Sequence, residues 1–101
     1  MSKISIQEQK SSEITDICIP RMESQITRKF IFTIFNRLNI GTVERIIENR
    51  LKTNENYKRT ILKIRWNNTE KAVEIRQRLN NNLPVNIVYE LPWFWKVVLA
   101  K

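Results

Sequence analysis

Tyr57-Lys58-Arg59-Thr60-Ile61-Leu62-Lys63-Ile64-Arg65-Trp66 alternates with a period of two along its whole length. Thr60, Leu62, Ile64 and Trp66 fall on one side, while Arg59, Ile61, Lys63 and Arg65 fall on the other. Successive side chains of an extended strand point to opposite faces. The pattern therefore predicts a strand with one face in a core and the other open and basic.

Toward the N-terminus, the turn cluster Thr53-Asn54-Glu55-Asn56 separates this strand from a second one, Val43 to Lys52, centred on Ile46 and Ile47. Before it, Ser24 or Thr27 can cap a helix running to about Asn39. Phe30 or Ile31, Ile34, Phe35 and Leu38 recur there at helical spacing, and Gly41 is expected to stop it. The first strand is expected from Ile14 to Met22, with Ile17 and Ile19 facing one way, Asp16 and Cys18 the other, and Pro20-Arg21 ending it. Met1 to Glu13 is polar and without period, which predicts a flexible arm over 1–13 and one domain over 14–101.

Toward the C-terminus, Thr69 caps a second helix, Glu70 to Asn80, with Ala72, Ile75 and Leu79 inward and Asn80-Asn81-Asn82 breaking it. Val85 to Tyr89 reads as a short hairpin strand and Trp93 to Ala100 as the closing strand. Alternation turns Trp95, Val97 and Leu99 inward and leaves Phe94, Lys96 and Val98 on the open side. The order strand, helix, strand, strand, helix, strand implies an α+β fold of the split β-α-β, ferredoxin-like class. Its expected form is a four-stranded antiparallel sheet with both helices on one face.

Composition narrows the chemistry. A chain of 101 residues suits one domain. Lys and Arg number 18 against 10 Asp and Glu, a formal charge of +8, which is the footprint of an anionic partner, most often nucleic acid. There is no histidine, which excludes a His-based triad, metal site or pH switch. Cys18 is the only cysteine, so no intrachain disulfide or thiolate zinc cluster can form, as suits an intracellular, reducing compartment. Gly41 is the only glycine, which excludes a P-loop and the dinucleotide-binding fingerprint. No apolar run reaches membrane-spanning length, and the N-terminus lacks a signal peptide's hydrophobic centre. We expect no enzyme, no cofactor, no metal and no membrane role.

From about Ile14 to Lys101 the chain resembles the RNA recognition motif (RRM) family. Ile17-Cys18-Ile19-Pro20-Arg21-Met22 lies where that family has its first-strand hexamer, and Arg59 to Trp66 where it has its third-strand octamer. Ile31-Phe32-Thr33-Ile34-Phe35 and the set Ala72, Ile75 and Leu79 are similar to the inward positions of its two helices. A closer resemblance is to small uncharacterised RRM-like proteins of nucleocytoplasmic large DNA viruses. They share Ile19-Pro20-Arg21, Trp66-Asn67-Asn68, Ile87-Val88-Tyr89 and the ending Pro92-Trp93-Phe94-Trp95-Lys96-Val97. That resemblance implies a viral protein working in the host cytoplasm or a viral factory.

The family's sheet holds single-stranded RNA by stacking bases on exposed aromatics. Here the corresponding positions are Cys18, Ile61 and Lys63, none of them aromatic, and each missing stack removes about 1–3 kcal/mol. The leading expectation is therefore single-stranded nucleic-acid binding, RNA before DNA, by a basic, aromatic-poor sheet face. Arg21, Arg45, Arg59, Lys63, Arg65 and Lys96 would hold phosphates, and Ile61 and Phe94 would touch bases. The alternative is a protein-interaction domain without a nucleic-acid role. It would take a peptide at Trp93 and Phe94, or self-associate through an apolar stripe of Ile47, Ile61 and Val98.

Overall fold

The computed structural model describes residues 13–100, so the expected arm, apart from Glu13, lies outside the described residues. In chain order the elements are β1 (Ile14–Glu23), α1 (Arg28–Leu38), β2 (Gly41–Arg50), β3 (Tyr57–Trp66), α2 (Glu70–Asn80), β4 (Val85–Glu90) and β5 (Trp93–Leu99). They form an α+β domain with a five-stranded antiparallel sheet in the order β2-β3-β1-β5-β4. The expected four strands are thus corrected to five. Because β5 pairs with β1, its hairpin partner β4 necessarily extends the sheet as an outer strand, with Val85 opposite Val97 and Ile87 opposite Trp95.

Side-chain caps set the helix ends. Thr27 Oγ1 accepts from Phe30 N at 3.1 Å, and Thr69 Oγ1 accepts from Ala72 N at 3.1 Å, each satisfying a first-turn donor. Asn39, not Gly41, ends α1: it turns into the left-handed region at φ 55°, and its N–H donates to the carbonyls of Phe35 and Asn36. Gly41 instead opens β2, where a Cβ would meet Arg65 O at 2.6 Å and Ile64 Cγ2 at 2.9 Å. The glycine serves close strand approach.

Pro20 does not end β1. Ile19 lies opposite Thr60 and Met22 opposite Lys58, so Pro20 and Arg21 share the place of one residue in a bulge and the strand continues to Glu23. A second bulge adds Glu44 to β2 between Val43, opposite Ile64, and Arg45, opposite Lys63.

One face of the sheet carries the core. Ile17, Ile19, Leu62, Ile64, Trp66, Trp95 and Val97 join Ile31, Ile34 and Phe35 of α1 and Ala72 and Leu79 of α2 in a single buried cluster. The expected inward sets of β3 and β5 are buried as alternation required, except that Leu99 is only half-buried. Trp66 is buried and its Nε1 donates to Thr15 Oγ1 at 2.8 Å. Trp95 stacks on Tyr89 at 4.6 Å between ring centres and meets the edge of Phe30 at 6.1 Å. With both helices' inward residues in this cluster, no helix among the described residues lies over the opposite face.

Candidate nucleic-acid interface

Register places most of the expected site residues on that uncovered face. On β3 they are Arg59, Ile61, Lys63 and Arg65, all half-buried. Ile61 lies between Cys18 of β1 and Ile47 of β2, and Lys63 lies between Asp16 and Arg45. Asp16, Arg45, Ile47, Ile61 and Lys63 surround a shallow cavity of about 110 Å³. A ligand there would meet two cations, two isoleucines and one carboxylate.

A larger cavity of about 410 Å³ lies beside it, where the β1–β5 ladder stops. That ladder pairs Ile17 with Leu99 and Cys18 with Val98. Pro20 follows in the bulge without an N–H to donate, so the proline cannot extend the pairing at its own amide. Cys18, Pro20 and Arg59 line the cavity together with Leu83, Val98 and Ala100. Burial pushes the Cys18 thiol pKa up, while the neighbouring Arg59, by its charge and by donating toward the sulfur, opposes that push. Cys18 is 3% exposed, so it fills the sheet as expected of a small apolar side chain.

Two features of this face escape simple alternation. The bulge at Glu44 brings a second carboxylate to it: Glu44 Oε2 accepts from Arg65 Nε at 2.5 Å. The face therefore carries Glu44 as well as Asp16, and Arg65 is partly neutralised before any ligand arrives. The second feature is Tyr57, at the start of β3 with the same parity as Arg59. The guanidinium of Arg21 lies 4.1 Å from the centre of its ring. Arg21 thus covers an aromatic ring. Parity counted two residues before Arg59 would have found Tyr57; the bulge that carries Arg21 to it has no period to betray it.

On the hairpin, Phe94 lies opposite Val88 and Lys96 opposite Asn86. Phe94 is 51% exposed, so it both touches its cross-strand neighbour and presents ring surface. Trp93, opposite Glu90, is 62% exposed, and Leu91 in the connecting turn is 83% exposed. The structure therefore separates the expected residues into a basic centre, around Ile61, and an apolar tip, around Trp93. Register aligns Ile47, Ile61, Cys18 and Val98 in one cross-strand row, with Val98 bordering the larger cavity, Ile47 the smaller, and Arg59, Arg45 and Lys63 flanking it. Among the described residues no cluster of acid, cysteine or histidine side chains could hold a metal ion, and no helix is long and apolar enough to cross a membrane. Comparison with protein-family models, with curated proteins and with solved structures found no match.

Proposed function

We propose that this chain is an RRM-like domain of the ferredoxin-like class that binds single-stranded nucleic acid, RNA in preference to DNA, on its uncovered sheet face. The strand order supports the class: β1 and β2 run parallel with β3 between them, β3 and β5 run parallel with β1 between them, and β4 is appended at the edge. The sequence likeness of Pro92 to Val97 supports a viral origin. The observation that carries the function is the half-buried row Arg59, Ile61 and Lys63 on a strand in the middle of the sheet, bordered by both cavities. Phosphates would lie against Arg59, Lys63, Arg45 and Lys96, with Ile61, Val98 and Phe94 making apolar contact with bases.

Fluorescence anisotropy with labelled RNA and DNA pools tests this at low and physiological salt. Arg59→Glu with Lys63→Glu should abolish binding while the domain stays folded by circular dichroism. If the charges act as phosphate contacts, replacing both with neutral Gln should reduce the salt slope by about 1.4. Unchanged affinity in the Glu double variant removes the sheet-face reading. Arg21→Ala should test the face's other aromatic: with the guanidinium gone, Tyr57 is free to stack, so the salt slope should fall while affinity at physiological salt holds or rises.

A second reading, a peptide-binding domain, is favoured by the exposure of Leu91, Trp93 and Phe94 at one tip. A wild-type chain that ignores nucleic acid even at low salt, with a peptide partner lost on Trp93→Ala, would select it.

A further inference from the structure

β4 is an outermost strand, and its far side meets no other strand among the described residues. Sheet edges are ordinarily guarded by lysines, prolines, bulges or inward charges. Val85-Asn86-Ile87-Val88-Tyr89-Glu90 contains no basic residue and no proline. Within the strand the guards sit at the far end, where Tyr89 is the extra residue of a bulge and Arg37 Nη2 donates to its carbonyl at 3.2 Å. The stretch from Val85 to Val88 is left open. Beside it runs a trough of about 330 Å³ that Leu38, Ile75, Val85 and Ile87 line with apolar surface and Lys71, Glu74 and Arg78 with charge.

Charges at the two ends of β4 say what fits there. Arg78 Nη2 donates to Pro84 O at 3.1 Å, which fixes a guanidinium beside the residue preceding the strand. Glu90 closes the strand at the other end. Neither Arg78 nor Glu90 has an ion-pair partner among the described residues. Antiparallel pairing of two β4 strands about a two-fold axis near Asn86 and Ile87 lays Glu90 of one copy along the turn Asn82 to Pro84 of the other. Each Glu90 then meets the second copy's Arg78, and the symmetry makes the contact twice.

We propose that β4 pairs with β4 of a second copy of this chain, joining two five-stranded sheets into one continuous sheet. The pairing satisfies the open backbone groups of Val85 to Val88, covers the trough's edge and matches the two unpaired charges. It works against the net charge of +8 on each copy, which screening over about 8 Å at physiological salt weakens. The pairing stands independently of nucleic-acid binding.

Sedimentation velocity of the full chain, without nucleic acid and at physiological salt, over a rising concentration series decides it. The wild type should pass from monomer to dimer. Glu90→Arg alone and Arg78→Glu alone each place like charges together and should weaken dimerisation by about tenfold or more. Arg78→Glu combined with Glu90→Arg should restore it, a rescue that no loss of local folding can imitate. A wild type that stays monomeric throughout overturns the proposal and leaves the edge to a strand from another protein. Single variants that dimerise like the wild type overturn it equally.

Discussion

The two ends of this sheet are held by different physics. At the β2 end, long ladders run from Gly41 opposite Trp66 to Arg50 opposite Lys58, and ion pairs reinforce them. Lys58 Nζ donates to Glu48 Oε2 at 2.7 Å and to Ile26 O at 2.6 Å, Arg28 reaches the other oxygen of Glu48, and Glu44 holds Arg65. At the β4–β5 end, pairing with β1 is short, and the hairpin is fastened by packing Tyr89 and Trp95 against Phe30. Backbone and charge secure one edge, and buried aromatic area secures the other. The second method leaves more apolar surface in water, and Val88, Leu91, Trp93 and Phe94 are that surface. An edge fixed by charges is closed to newcomers, whereas an edge fixed by aromatic packing stays available.

The largest test of that contrast is Trp95→Ala. Removing a buried indole that touches both Tyr89 and Phe30 should cost about 3–5 kcal/mol, read by urea unfolding. Hydrogen exchange in the variant should show the amides of β4 and β5 opening before those of β2 and β3. Normal melting would mean that the hairpin is held by something other than its aromatics. Gly41→Ala probes the opposite end. The new methyl would press on the Arg65 carbonyl and Ile64, and since backbone cannot move as a flexible side chain can, about 1–3 kcal/mol should be lost. An unchanged melt there would show that the β2 end gives way more easily than its ladders imply.

Much of this architecture was legible, and the misses trace to bulges and to long-range pairing. β3, α2 and the cap at Thr69 stand where period and capping chemistry put them, because each is decided by residues adjacent in sequence. The inward indoles of Trp66 and Trp95 followed from parity alone. Bulges are what parity cannot see. The one at Pro20-Arg21 carried β1 past a proline expected to end it and set Arg21 on Tyr57, and the one at Glu44 moved a carboxylate to Arg65. The fifth strand was visible as a hairpin, but its membership in the sheet depends on where β5 pairs, a long-range choice. Of the site, Arg59, Ile61 and Lys63 were readable on their strand. The larger cavity, which Arg59 borders, was not, because Leu83, Val98 and Ala100 reach it from elements distant in sequence.

The smallest expected effect concerns the charges of the β2 end. The hydrogen bond from Lys58 holds the Glu48 carboxyl below its ordinary value; burial opposes this, and Arg28 adds to it. A carboxylate depressed on folding stabilises the native state above the unfolded pKa, and that contribution disappears as pH falls through the folded pKa. Wild type should therefore exceed Glu48→Gln by its full margin at neutral pH and lose the margin once acid passes below the ordinary glutamate range. Glu48 is a quarter exposed and the amide still accepts from Lys58, so solvent screening keeps the margin near about 1 kcal/mol. Urea midpoints of both chains across that pH range check it. A margin that persists unchanged into acid would mean that Glu48 acts by shape and hydrogen bonding, and the β2 edge would then owe its security to backbone pairing rather than to charge.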